Sequence, residues 1–414
     1  MDRARESDSC SILDHLDELD EALSEMEGEI VTHIESTGMS PEGIGEVRTW
    51  LLRARSHHSD MVDEIRYLYP WIHFLAKEGG DFSSSANQEL KDSWSKLLEA
   101  LPKKPSPSGF LRSYGSAVKK LDTLEAVAGE TTLREPAARL KELLAKGRKH
   151  CLEVIRDGEV LANRAEKEAD GMDFSFLYHR GRNVFRIGFN VDMEQPDGNC
   201  YDLLASEARI TSLLTIARRQ VPTDHWLHLS RPFTSVSGML GMLSWSGTMF
   251  EYLMPLLFTG YRKDTLLGKC CRAAVKGQIE YAKKQGTPWG VSESGYYRLD
   301  TGGQYQYRAF GVPGLGYKRD LGQDTVIAPY ASVLALPIAP AEVAENLFMI
   351  QSLGMTGPYG FYEAMDFTSS RLLRGREFMP VKSYMAHHQG MILLAIQNYL
   401  QNDITVSRFT GTPQ

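Results

Sequence analysis

The sequence is poor in cysteine, in positive charge and in long apolar runs. Five cysteines in 414 residues are too few, and odd in number, for a disulfide scaffold, so we expect reduced, mostly structural thiols. A formal net charge of −7 argues against a nucleic-acid partner, because no excess of Lys and Arg is available to neutralise phosphates. The most apolar run, 249–258, contains Glu251 and is far shorter than the ~20 residues that span a bilayer.

Several signatures of chemistry are also absent. The N-terminus has no apolar segment typical of a signal peptide, and we expect a soluble chain. No glycine-rich phosphate loop follows a strand, and no nucleophile elbow is present. His387 and His388 are adjacent, and adjacent residues on a helix point about 100° apart, so they do not share one metal ion. We therefore predict neither a metal site nor a cofactor.

The chain divides into two regions of different composition. Residues 1–170 have apolar residues at helical spacing with Asp, Glu and Lys between them, which predicts a helical segment that acts as a spacer. From 171 to 414, a short aromatic hairpin is followed by helices that alternate with aromatic, glycine-rich loops. We predict a mainly all-α fold, an α/α toroid with a helical extension before it. This prediction does not decide whether 171–414 holds the whole toroid or a truncated one.

The stretch 289–297 (WGVSESGYY) places Glu293 among an indole, two phenols and two glycines. Aromatic faces accept sugar rings, and glycine lets a backbone approach a ligand closely. These features favour a carbohydrate-cleaving site. The alternative is a glycine-rich turn with a solvated Glu and core aromatics.

Glycoside cleavage needs a second carboxyl group across the scissile bond, and three stretches offer one. Glu207 begins a predicted helix, where a Glu is also favoured by the helix dipole alone. Glu251 lies in a stretch from 239 to 257 that predicts one apolar helix, so a structural hydrogen bond is its alternative role. Glu363, with Asp366 nearby, is the third, with a loop cap as its alternative.

Six motifs make the chain recognisable. They are 201–209 (YDLLASEAR), 244–255 (SWSGTMFEYLMP), 288–294 (PWGVSES), 310–316 (FGVPGLG), 359–364 (YGFYEA) and 385–391 (MAHHQGM). Together they resemble the glycoamylase-like domain of cyclic β-1,2-glucan synthases, over about residues 170–400. The helical first region resembles the segment that precedes this domain in those synthases.

The resemblance implies an (α/α)6 barrel that works with retention of configuration on linear β-1,2-glucan and closes the chain into a ring. It implies that Glu293 is the nucleophile and Glu207 the acid/base. The loops and the resemblance together predict a substrate-binding set: Trp245, Glu251, Tyr252, Trp289, Tyr296, Tyr305, Tyr307, Tyr359, Tyr362, Glu363, Asp366, His387, His388, Gln389 and Arg209.

The implied partners are the glycosyltransferase and phosphorylase-like parts of a parent synthase at the cytoplasmic side of a bacterial inner membrane. Two alternatives remain open at this point. One is an endo-β-1,2-glucanase, which transfers the sugar to water. The other is a catalytically silent glucan-binding fragment.

Overall fold

The computed structural model describes residues 12–37, 41–102, 105–129 and 132–411. The chain divides into two compact units, Met1–Met172 and Asp173–Gln414. Over the described residues, helices make up the larger part of the chain and the strands are short, which confirms the predicted class.

The first unit contains only helices among its described residues: α1 (Ile12–Thr37), α2 (Pro41–Leu68), α3 (Pro70–Ser83), α4 (Gln88–Ala100), α5 (Pro107–Ala128) and α6 (Arg134–Gly171). Its core is aromatic, and the rings of Phe82 and Trp94 stack with centroids 4.5 Å apart. Helix α5 begins with Pro107 behind an Ser106 cap and ends at Gly129 with φ 54°, because glycine adopts this backbone conformation without steric cost.

Nine helices follow in the described part of the second unit: α7 (Ser206–Ala217), α8 (Asp224–His228), α9 (Met249–Leu253), α10 (Leu256–Thr259), α11 (Leu266–Gln285), α12 (Pro329–Val333), α13 (Pro340–Ser352), α14 (Ala386–Leu400) and α15 (Ile404–Gly411). The predicted helix stop at Gly286 is confirmed, with φ 68° at the C-cap of α11. The order of helices and loops is that of an α/α toroid.

Short antiparallel strands connect these helices: β1 (Tyr178–His179), β2 (Val184–Phe185), β3 (Phe189–Asn190), β4 (Gln195–Pro196), β5 (Phe233–Val236), β6 (Met239–Met242), β7 (Ser294–Leu299), β8 (Tyr305–Arg308), β9 (Val326–Ile327), β10 (Thr356–Gly357), β11 (Gly360–Phe361), β12 (Ala364–Asp366) and β13 (Met379–Val381). They form two-stranded hairpins and one three-stranded sheet in the order β13-β12-β9. The predicted aromatic hairpin is β1–β2.

The predicted single helix over 239–257 is wrong. Strand β6 ends at Met242, a loop follows, and α9 begins only at Met249. The loop exists because Thr248 and Glu251 form a capping box that starts a new helix. It also packs backbone to backbone against 311–316: a Cβ on Gly311 would lie 1.8 Å from the Ser246 carbonyl oxygen, so only glycine fits there.

Candidate active site

The backbone on the N-terminal side of Glu293 is fixed by buried polar side chains of three helices. Gln278 of α11 bonds both backbone polar groups of Val291, at 2.7 and 2.9 Å. Asn346 of α13 does the same for Trp289, at 2.9 and 2.8 Å, and Ser332 of α12 adds a third bond to the Trp289 carbonyl. The stretch is therefore rigid, as a precisely oriented side chain requires.

Glu293 itself lies at the end of this fixed stretch and immediately before β7. The hydroxyl of the buried Tyr330 lies 2.8 Å from the Glu293 carbonyl and 2.9 Å from the Ser292 hydroxyl oxygen. Ser292 in turn accepts from the Phe250 amide at the start of α9. In the described part of the chain no donor reaches the Glu293 carboxyl group, which leaves it available to a ligand.

The environment of Glu293 keeps its carboxyl group partly protonated near neutral pH. Burial raises its pKa to about 7, with further contributions from repulsion by Glu207 and by Glu251. Burial acts because a desolvated carboxylate is costly, and nearby like charges act in the same direction. A carboxyl group of this kind can donate or accept a proton at physiological pH.

Glu207, the second candidate carboxyl group, is exposed, whereas Glu293 is half-buried. It lies in the first turn of α7, where the helix dipole stabilises negative charge, and it accepts from the Ser206 hydroxyl. The same helix carries the buried Arg209, which donates to the carbonyls of Glu251 and Tyr252 at 3.2 and 3.1 Å. Arg209 therefore ties α7 to α9 and does not face a ligand.

Glu251 has a structural role in this arrangement. Its carboxylate accepts from the hydroxyls of Ser244 and Thr248 and from the amides of Ser246 and Thr248, at 2.8 to 3.3 Å. These donors hold the 244–248 loop in place. The neighbouring Tyr252 is 0% exposed and its hydroxyl bonds backbone carbonyls, so the structure places this predicted ligand contact in the core.

Glu363 and His388 form a buried pair behind the catalytic candidates. They are 2% and 1% exposed, and Nδ1 of His388 lies 3.0 Å from both carboxyl oxygens of Glu363. Glu363 also accepts from the Gly295 amide at 3.0 Å. The His388 ring stacks on Tyr330 with centroids 3.7 Å apart. Burial removes both residues from direct substrate contact and makes them positioning residues.

Tyr307 connects this buried pair to the catalytic candidates. Its hydroxyl lies 3.5 Å from Nε2 of His388. Desolvation of its hydroxyl group raises the pKa of Tyr307, although part of the ring is exposed, and Glu293, Glu363 and Glu207 raise it further, so its phenol stays protonated. The exposed His387 ring lies beside Tyr307. Burial and His388 lower the pKa of His387, while Glu363 and Glu207 act in the opposite direction.

Asp366 is buried among structural partners. It is 0% exposed and pairs through both carboxyl oxygens with Arg371, at 2.6 and 3.1 Å. It also accepts from the amides of Tyr297 and Thr368. Arg371 holds Asp324 as well, at 3.0 Å. Asp366 therefore anchors β7 to β12 and is not placed to bind sugar.

We expect Asp366→Asn to lower the free energy of unfolding of this unit by about 3 kcal/mol, because breaking a buried ion pair leaves an uncompensated charge. Arg371 would still pair with Asp324, so we expect a loss at the low end of the range that is usual for a broken buried ion pair. Chemical denaturation measures it. Asp192→Asn, at an exposed turn position, is the control, and an unchanged stability of Asp366→Asn would contradict the structural role.

The predicted aromatic set separates by exposure. Trp245 is 62% exposed, and Tyr359 and Tyr307 are also exposed, so these three offer faces to a ligand. Tyr305 and Tyr362 are half-buried. Trp289 and Tyr296 are buried and pack in the core cluster. Gln389 is half-buried and donates to the Phe361 carbonyl at 3.2 Å, which holds the loop that carries Tyr359 and Tyr362.

Five functional positions were not found from the sequence: Gln278, Ser292, Tyr330, Ser332 and Asn346. All are buried polar side chains that hold the Glu293 segment. A polar residue on the buried face of a helix is the only signal that could have indicated Gln278 and Asn346. Ser332 and Tyr330 have no such signal.

The described residues lack two further features. Within the described ranges, no group of three or more His, Cys, Asp or Glu side chains is placed to hold a metal ion. In that same part of the chain, no helix is both long and apolar enough to cross a membrane.

Comparisons with known proteins agree with the sequence motifs. Residues 199–413 match the Glycoamylase family, described as "Putative glucoamylase". Over 243 residues, 59% of this chain, the sequence is 45% identical to the cyclic β-(1,2)-glucan synthase NdvB of Rhizobium meliloti (strain 1021). The matched region spans only 9% of that protein.

The chain also has a distant structural similarity to the complex of endo-β-1,2-glucanase from Talaromyces funiculosus with sophorose. The match covers 73% of this chain and 62% of the glucanase chain, at 12% identity and a TM-score of 0.40, a similarity too low to bear on the site. The family match extends over more than half of the chain and contains both Glu207 and Glu293. The chain therefore belongs to the glycoamylase family and is a carbohydrate-active enzyme of the glycoside hydrolase type.

Proposed function

We propose that residues 171–414 form a catalytic domain that cleaves a β-1,2 bond in linear β-1,2-glucan with retention and closes the chain into a ring. Residues 1–170 would be the helical segment that precedes it. The observation that carries the proposal is the electrostatic coupling of two carboxyl groups from separate elements, Glu207 on α7 and Glu293 before β7. Such a pair is what glycoside cleavage requires.

The division of roles that we propose follows the motifs, with Glu293 as the nucleophile and Glu207 as the acid/base. Burial, and then repulsion by Glu207, raises the pKa of Glu293 to about 7, as expected when two carboxyl groups lie in one partly desolvated site.

The reaction then has two steps. Glu293 forms a glycosyl ester as the glycosidic bond breaks, and Glu207 gives a proton to the departing chain. The hydroxyl of the acceptor then attacks the ester, its proton passes to Glu207, and the carboxylate of Glu293 is released. Ring closure results when the acceptor hydroxyl belongs to the other end of the same glucan.

Transfer to a sugar requires that the acceptor outcompete water. The exposed faces of Trp245, Tyr307 and Tyr359 can hold glucose rings, and an ordered acceptor gains from high effective molarity and from exclusion of solvent. The buried Glu363–His388 pair keeps Tyr307 in place beside both carboxyl groups. These features support transfer to sugar over transfer to water.

Incubation with linear β-1,2-glucan tests the proposal. We expect products that resist exo-acting β-glucosidases and that have lost a mass of one water relative to linear chains of the same length. Short linear oligosaccharides would mean an endo-β-1,2-glucanase, and unchanged glucan would mean a silent binding fragment. Proton NMR during the first turnovers reads the anomeric configuration and would reveal inversion.

The similarity to NdvB supports a wider proposal about context. The chain corresponds to a small share of that protein's length, and we propose that it acts beside glycosyltransferase and phosphorylase-like parts of a synthase at the cytoplasmic side of a bacterial inner membrane. Copurification of these parts with the chain in the membrane fraction tests this placement.

A further inference from the structure

A cavity lies beside the β7–β8 hairpin, which follows Glu293. It has a volume of about 690 Å³, within the range of small-molecule sites. Its lining comes from three parts of the chain: Tyr297 and Tyr305, Leu353–Met355, and most of the segment 373–382. The roles proposed above for the candidate active site do not use this cavity.

The β7–β8 hairpin connects this cavity to the catalytic residues. Glu293 immediately precedes β7, and Tyr297 follows four residues later, about 13 Å along an extended strand. On β8, Tyr307 pairs with Gly295, two residues after Glu293, and Tyr305 lies two residues before Tyr307 on the same face of the strand. Tyr307, Tyr305 and Tyr297 therefore lie along the hairpin between its catalytic end and the cavity.

The lining of the cavity suits a neutral ligand with many hydroxyl groups. The rings of Tyr297 and Tyr305 lie 6.1 Å apart at 46° and offer apolar faces for sugar rings. Arg376 and Lys382 line the cavity and can donate hydrogen bonds to a ligand, and Glu377 can accept them. None of these three side chains forms an ion pair within the described ranges, and the mixture of signs does not favour an anion or a cation.

The wall of the cavity is held rigid by residues already described. Asp366 binds the Tyr297 amide at 3.0 Å, and the segment 379–381 is strand β13, paired with β12. A preformed cavity binds a flexible polymer with less loss of entropy than one that must be ordered first.

We propose that this cavity binds a stretch of the linear β-1,2-glucan several glucose units away from the bond that is cleaved. The inference rests on the proposed function. Ring closure requires one protein to hold two distant parts of the same chain, and a second binding region keeps the polymer attached while its free end reaches the glycosyl enzyme. Chains too short to reach the cavity gain nothing from it.

Tyr305→Ala and Arg376→Ala test the proposal, with Tyr399→Ala as the control because Tyr399 is an exposed tyrosine outside this cavity. Each is combined with Glu293→Gln, and binding of linear β-1,2-glucans of graded length is measured by calorimetry. We expect affinity for long chains to fall about five- to tenfold, the size of one lost ring contact, and affinity for short chains to stay unchanged. Arg376 is exposed, so its variant keeps the fold.

The outcomes separate the two proposals. Equal losses for short and long chains, or no loss in either cavity variant, would overturn the cavity proposal even when the unsubstituted chain still acts on β-1,2-glucan. Absence of both turnover and binding for every β-1,2-glucan would end the proposed function, and the cavity proposal with it. A loss in Tyr399→Ala equal to that in Tyr305→Ala would also count against the cavity.

Discussion

The substitution Glu293→Gln is expected to lower the rate on linear β-1,2-glucan by about 10²–10⁴-fold, the usual loss when a catalytic acid or nucleophile is removed. Binding of glucan should survive, because an amide has nearly the same shape as the carboxyl group. Rates and calorimetric binding on the same preparation measure both effects. Retained turnover would show that Glu293 is not part of the chemistry.

Glu293→Gln should also change how the stability of the protein depends on pH, which can be measured without any assay of activity. The folded pKa of Glu293 is about 7 against an ordinary value of 4.5, so between these values the folded protein holds its proton more tightly than the unfolded chain does. The contribution of this group to stability is therefore present below about pH 4.5 and is lost as pH rises through about 7.

Glutamine does not titrate, so the variant escapes that loss. We expect its thermal midpoint to rise relative to the unsubstituted chain as pH increases from about 4 to about 8. No donor to the Glu293 carboxyl group is removed by the change, since none reaches it in the described part of the chain. A difference in midpoint that is the same at both pH values would contradict the burial of a charged Glu293.

Glu207→Gln is expected to abolish most of the activity, by at least about 10²-fold, and to lower the pKa of Glu293. The second effect follows because repulsion by Glu207 is one of the causes that raise this pKa, and removal of a like charge favours the ionised form. Carboxyl ¹³C NMR titration of Glu293 measures it directly.

A matched control is available on another helix. Glu342 occupies the first turn of α13 as Glu207 occupies the first turn of α7, and it is not among the causes of the Glu293 shift. Glu342→Gln should leave both activity and the Glu293 titration unchanged. If Glu207→Gln left the titration of Glu293 where it was, the two carboxyl groups would not share one site.

Some of this site could be read from the sequence because local composition determined it. The stretch around Glu293 combines a carboxylate with aromatics and glycines, and that combination is visible without a structure. The end of α11 at Gly286 was equally readable, since a glycine after a helical pattern supplies the left-handed C-cap. The capping box of Thr248 and Glu251 also has a recognisable sequence pattern. The apolar character of 239–257 nevertheless favoured a single helix over the whole stretch.

Other assignments depended on contacts between residues far apart in the chain. Trp245 and Tyr252 are aromatic neighbours in one motif, yet one is 62% exposed and the other 0%. The first belongs to a loop pressed against 311–316, and the second faces the core beneath it. No local pattern separates them, because exposure is decided by what the rest of the chain packs against each side.

The sequence by itself determined the helical class, the family motifs and the two carboxylates worth testing, since periodicity, caps and residue chemistry are local properties. Only the tertiary structure decided that Glu251 holds a loop and Asp366 holds a strand. It also placed Glu363 and His388 together in the core, where Glu363 accepts from the Gly295 amide. The physical reason is that the role of a charged side chain depends on its burial and on its neighbours, and both are set by segments distant in sequence.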